Sequence, residues 1–151
     1  PYGQMPARQG GNANELYEKE LLGEVKPLAE RLYRVKTDRA NRAIAGLSMG
    51  SGQSMHIGLN HLDMFSHIAV FSGGGRNAGL EKMNPAELNK MLKVFYIGCG
   101  KDDFVFAGAN ELDKQLTEKG IKHLYTVTGG GHTWANWRQY LYEYAPMLFQ
   151  N

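Results

Sequence analysis

Five small or branched apolar residues, Ala43-Ile44-Ala45-Gly46-Leu47, run straight into Ser48-Met49-Gly50-Ser51-Gly52. This junction constrains the fold more than any other stretch of the chain. A short continuous apolar run reads as a buried parallel strand. The small residues after it read as the start of a helix packed closely on that strand. Gly46-Leu47-Ser48-Met49-Gly50 fits Gly-x-Ser-x-Gly, in which a sharp strand-to-helix turn projects a serine from the edge of a sheet. Such a turn brings backbone against backbone, so both flanking glycine positions are expected to exclude a bulky side chain. The helix that follows points its N-terminus at the serine, and the N–H of Met49 is the group placed to stabilise an oxyanion there.

The rest of the chain repeats this alternation. Residues 1–13, rich in Gly, Pro, Gln and Asn, read as a loop. Asn14 is placed to cap a helix over 15–33, with Leu21, Val25, Leu28 and Leu32 on one face. Pro27 should bend that helix or open a new first turn. Lys36-Thr37-Asp38-Arg39 is a polar turn before the strand at 43–47. Helix is then predicted over 49–60, strand over 67–71, a short helix over 85–92 and strand over 93–97. A helix over 105–119 with Gly120 as its stop, a strand over 124–128 and a helix over 134–148 complete the chain. Strands alternating with helices predict an α/β fold, a parallel sheet with helices on both faces. A chain of 151 residues has room for one such domain, so 1–151 is read as a single domain.

Composition narrows the function. A net charge of +2 with no stripe of Lys and Arg argues against nucleic acid and anionic membrane surfaces as partners. No apolar run approaches the roughly 18 residues of a membrane span. The single cysteine, Cys99, leaves no internal disulfide and no Cys-rich metal site, and at a strand end it reads as a small buried residue. No His-x-x-x-His with a neighbouring Glu occurs, and no carboxylate cluster has ligand spacing. The Gly-rich segments at 73–75 and 129–131 lack the Gly-Lys-Ser/Thr of a phosphate loop. Neither a metal nor another cofactor is expected.

A serine hydroxyl is a weak nucleophile and needs a base, which in turn needs an orienting acid. On this kind of sheet the partners follow later strands, in the order Ser, Asp or Glu, His. The strand at 93–97 runs into Gly98-Cys99-Gly100-Lys101-Asp102-Asp103, and that at 124–128 into Gly129-Gly130-Gly131-His132. Three glycines free the backbone to carry the imidazole back over the sheet. His56 and His61 lie on the helix after the serine, while His67 and His123 sit at strand starts, at the opposite end of the sheet. All four read as surface or half-buried structural histidines. Asp38 and Asp63 precede strands, and Asp113 reads as a solvated mid-helix charge. What is left is Ser48 as nucleophile, His132 as general base and then acid, and Asp102 or Asp103 orienting the imidazole. Spacing does not separate the two aspartates.

The segments Asn41–Gly50, Tyr96–Asp103 and Gly129–Trp134 together resemble the putative esterase family. That family includes the feruloyl and acetyl xylan esterases of carbohydrate esterase family 1, S-formylglutathione hydrolase (esterase D) and the mycolyltransferases. The run from Gly130 to Arg138, Gly-Gly-His-x-Trp-x-x-Trp-Arg, is most like the feruloyl and xylan esterase branch. The resemblance implies the α/β-hydrolase fold and a catalytic Ser48, Asp103 and His132, with Met49 N–H in the oxyanion hole. It implies a serine carboxylesterase acting on feruloyl or acetyl esters of plant-wall polysaccharide such as xylan. Its partner would be a small-molecule or polysaccharide ester. One alternative is an acyltransferase of the same fold, in which a sugar hydroxyl replaces water in deacylation; another is an inactive fragment, because the resemblance covers the C-terminal portion of a longer protein. The first strands and a second oxyanion donor would lie upstream, and Pro1-Tyr2-Gly3 would end a preceding strand. The exposed sheet edge left behind would favour self-association. Ser51 replaces the family's usual second glycine and is small enough for the turn to survive. Trp134 stands where it would flank an aromatic acyl group or a sugar ring. Trp137, Tyr140, Leu141 and Tyr144 read as a helix face on the core. A polysaccharide substrate favours secretion.

Overall fold

The computed structural model describes residues 13–74 and 79–150. They belong to two compact units, one ending at Val35 and one beginning at Lys36. In the first unit, helix α1 (Ala13–Glu20) passes through a π-helical turn (Leu21–Val25) into α2 (Lys26–Leu32). Pro27 sits in the first turn of α2, and the wide turn before it carries the Lys26 N–H back to the Leu21 carbonyl. The predicted helix is therefore interrupted where the proline falls. Asn14 lies inside α1 instead of capping it. The loop read over the residues before Ala13, and the strand end at Pro1-Tyr2-Gly3, lie outside the described residues.

In the second unit, β1 (Ala43–Leu47), β2 (His67–Phe71), β3 (Val94–Gly100) and β4 (Leu124–Thr128) form one sheet in the order β1-β2-β3-β4. All three pairings are parallel, with Leu47 opposite Phe71 and Phe71 opposite Gly98. Helix α3 (Met49–Asn60) joins β1 to β2, α4 (Pro85–Met91) precedes β3, α5 (Phe106–Glu118) joins β3 to β4, and α6 (Trp134–Tyr144) follows β4. The predicted elements are present with shifted ends. β3 continues to Gly100, and the last helix gives way at Ala145–Met147 to a 3₁₀ turn that contains Pro146. Gly120 ends α5 in a left-handed conformation (φ +67°), with the Ile121 N–H bonded to the Leu116 carbonyl.

β2 is buried along its whole length, whereas the edge strands β1 and β4 are only partly covered. Its side chains alternate between the two faces. Ile68 meets α3, where a Cβ on Gly58 would stand 2.6 Å from Ile68 Cδ1, so glycine lets this helix approach closely. Ala69 and Phe71 face the other way and join Tyr96, Tyr140 and Tyr144. Phe71 lies edge-on to Tyr96 and Tyr144, with ring centres 5.9 and 6.2 Å apart. Burying one such ring contributes roughly 1.5–3 kcal/mol. Tyr140 and Tyr144 thus make the expected core face of α6, but Leu141 does not: it is 52% exposed.

Two histidines serve this framework. His67 is fully buried, with Nδ1 2.8 Å from Ser66 Oγ and Nε2 accepting the Phe149 N–H at 3.3 Å. Burial, with Lys93 and Arg39 nearby, holds it below the ordinary histidine pKa. His123 Nε2 is 2.9 Å from Asp113 Oδ1, so Asp113, though still part-solvated, is also a partner of His123.

Candidate active site

β1 ends at Leu47 and α3 begins at Met49, so Ser48 alone makes the turn, at φ +53° and ψ −121°. A serine held there costs about 1–3 kcal/mol, which the surroundings must over-determine. The Ser48 N–H bonds the Phe71 carbonyl at 2.9 Å. On the far side, Ser51 donates both its N–H and its hydroxyl to the Ser48 carbonyl, at 3.0 and 2.5 Å. Ser51 therefore fastens the turn that it was expected only to tolerate, and Gly73 leaves the space its hydroxyl occupies. A Cβ on Gly46 would strike the Gly50 carbonyl and stand 2.6 Å from Ser54 Oγ. Gly50, expected to be crowded in the same way, is not. Its carbonyl makes the close approach, while a Cβ on Gly50 would meet nothing within 4 Å. The Met49 N–H belongs to the first turn of α3 and has no acceptor within the helix.

Asp103 and His132 arrive on the loops after β3 and β4. His132 Nε2 is 2.8 Å from Ser48 Oγ, and His132 Nδ1 is 3.0 Å from each Asp103 carboxylate oxygen. The Asp103 side chain has no exposed surface, and that of His132 is 21% exposed. Burial pushes the Asp103 carboxyl upward, but the Ser72 hydroxyl, the Val105 N–H and His132 outweigh it and hold the group below its ordinary value. An ionised Asp103 favours the imidazole tautomer with Nδ1 protonated, which leaves Nε2 free to accept from Ser48.

Asp102 has a different task. Its N–H donates to the Gly130 carbonyl at 3.0 Å, and its Oδ2 accepts the Gly130 N–H at 3.2 Å, tying one loop to the other. Of the three glycines before His132, only Gly130 is left-handed (φ +77°). Buried Asn136 secures this loop from α6, donating to the Gly129 carbonyl at 2.9 Å and reaching Thr128 Oγ1 and Tyr140 Oη at 3.2 Å each.

Aromatic rings enclose the imidazole. Phe104 lies over His132 with ring centres 4.5 Å apart, and Trp137 meets it edge-on at 5.0 Å. Trp134 meets Trp137 at 5.1 Å. Phe104, Trp134 and Met49 are 78, 68 and 79% exposed, leaving apolar surface open beside the serine and histidine. The sequence reading missed Phe104, whose one signal is its place directly after Asp103. It also missed Ser72 and placed Trp137 in the core only. Strand register puts Ser72, the residue after β2, level with Ser48. Cys99 is buried in β3 and its thiol is pushed up to about 11 by burial, so it stays protonated at neutral pH. Among the described residues no group of three or more His, Cys, Asp or Glu is placed to hold a metal ion, and no helix is long and apolar enough to cross a membrane.

A family model described as "Putative esterase" matches residues 3–148. The chain is 32% identical over 139 residues to an endo-1,4-beta-xylanase/feruloyl esterase of Xylanibacter ruminicola, a match covering 90% of this chain and 18% of that protein. It is 25% identical over 164 residues to an acetyl esterase of Caldicellulosiruptor saccharolyticus, covering 84% of this chain and 62% of that protein. Among solved structures, a ferulic acid esterase superposes with a TM-score of 0.78 at 28% identity, over 86% of this chain and 59% of that one. The chain spans less than two thirds of the length of each of these proteins.

Proposed function

The chain belongs to the putative esterase family and has the α/β-hydrolase fold, and from that premise we propose that it carries the Ser48–His132–Asp103 triad of a serine esterase. One observation carries this reading: Ser48 Oγ lies 2.8 Å from a histidine whose other ring nitrogen faces a buried carboxylate. Ser48 Oγ attacks the ester carbonyl while His132 Nε2 takes its proton. The Met49 N–H stabilises the developing oxyanion, and His132 then returns the proton to the leaving alcohol. Water, deprotonated by His132, releases the acid from the acyl-enzyme. Asp103 keeps the imidazole in the required tautomer throughout.

The substrate class proposed is a feruloyl or acetyl ester of plant-wall polysaccharide such as xylan. The names of the relatives support it, and so does the open aromatic surface, where Trp134 is placed to flank a planar acyl group or a sugar ring. The test is hydrolysis of methyl ferulate and p-nitrophenyl acetate by the chain and by Ser48→Ala. Turnover that falls by a factor on the order of 10⁶ in the variant is expected. Turnover that survives in Ser48→Ala would sink the reading, and the ratio of the two parent rates names the acyl class.

A further inference from the structure

Ser72 and Trp137 take no part in the steps above, yet Trp137 stands against the histidine that handles the proton and is bonded to Ser72. The Trp137 indole is edge-on to the His132 ring, at 88°. Its Nε1–H donates to Ser72 Oγ at 2.9 Å. Ser72 is fully buried and held at φ +48°, a left-handed conformation that few residues other than glycine adopt. Its N–H bonds the Gly98 carbonyl at 2.7 Å, so the backbone anchors where the hydroxyl sits. An indole N–H donates and never accepts. Ser72 Oγ is therefore the acceptor of that pair, and its own buried hydrogen needs another acceptor. Ser72 is bonded to the strand whose end leads into Asp103, and its hydroxyl is among the groups that hold the Asp103 carboxyl below its ordinary value, which points that hydrogen to this carboxylate.

We propose that Ser72 and Trp137 are positioning residues of this site: Trp137 sets the direction of the Ser72 hydroxyl, and that hydroxyl holds the Asp103 carboxylate toward His132. This rests on the triad reading given above. Asp103 then receives three donors, the Val105 N–H at 3.1 Å, the Ser72 hydroxyl and His132 Nδ1. Trp137 acts on both partners, since the ring that orients Ser72 also limits the tilt of the imidazole, as does Phe104 against the same ring. A buried polar chain of this kind is satisfied at every member or costs stability.

The test compares Ser72→Ala and Trp137→Phe with the parent chain. Two readouts are used: the pH dependence of Ser48 labelling by a fluorophosphonate, and the proton resonance of the His132 Nδ1–H. Ser72→Ala leaves the carboxylate with one donor fewer, so it accepts a proton, and holds an imidazolium, more readily. The acid limb of the labelling curve then moves to higher pH, the plateau rate falls roughly tenfold, and the Nδ1 proton moves downfield. Trp137→Phe keeps a ring edge against His132 and removes only the donor, so it shows the same changes in smaller measure. In Ser72→Ala, an unmoved limb and resonance overturn the proposal, even if melting temperature and labelling both fall. Trp137→Phe indistinguishable from the parent overturns the part assigned to Trp137. A parent chain that fails to label overturns the triad reading instead, and the Nδ1 resonance then decides the Ser72 link on its own.

Discussion

The two turns that deliver Ser48 and His132 are built by opposite means. The serine turn is steric and local. Gly46 has no room for a side chain, Ser51 bonds back three residues, and all but the supports from Phe71 and Gly73 lies between Gly46 and Ser54. The histidine turn is polar and gathered from afar. Asp102 reaches it from the loop after β3, Asn136 from α6, and Gly100 leaves space for the Gly130 carbonyl. A steric turn tolerates almost no change at its crowded position but is indifferent at the motif's other glycine, Gly50. A polar turn degrades by degrees, as one hydrogen bond after another is withdrawn.

The contrast can be broken most severely where the two turns meet. Asp103→Asn is expected to cut Ser48 acylation by roughly 10⁴-fold, through the wrong imidazole tautomer, whereas Asp102→Asn, which only loosens the loop, should cost a few-fold. Equal losses measured by fluorophosphonate labelling would erase the distinction between the two aspartates. Next comes Gly46→Ala, whose Cβ strikes backbone; a loss of about 3 kcal/mol or more is expected in urea unfolding. Asn136→Ala withdraws a buried amide from three acceptors and should cost about 2–3 kcal/mol by the same measurement, with slower labelling of Ser48. The smallest effect belongs to the other glycine of the motif. Gly50→Ala enters open space inside a helix and should leave stability unchanged or raise it by up to ~1 kcal/mol. A large destabilisation there would show that the serine turn is crowded on both sides after all.

The same contrast explains what could be read in advance. The strand, serine and helix from Ala43 to Asn60 were legible because their constraint lies among consecutive residues. The parallel sheet was legible from alternation alone, and its errors fall at element ends, where Pro146 and the continuation of β3 decide. The acid was not legible from spacing. Asp102 and Asp103 are adjacent, and what distinguishes them is that one meets Gly130 and the other faces His132. Ser72 was silent for the same reason: its partner Trp137 comes from α6, far along the chain, and nothing in the stretch around it records the pairing. Leu141 shows the limit of helical periodicity, since it follows buried Tyr140 yet stands in solvent.

The sheet order β1-β2-β3-β4 follows the order of the chain, so each new strand closes onto one already in place. The bond between Ser48 and His132, by contrast, spans 84 residues. Contacts of such long sequence separation form late, after the local ones that make them affordable in entropy. During synthesis the serine turn emerges well before His132, the residue it pairs with. Under the proposed triad, Ser48 labelling followed during refolding would report when the loop after β4 has reached the serine turn.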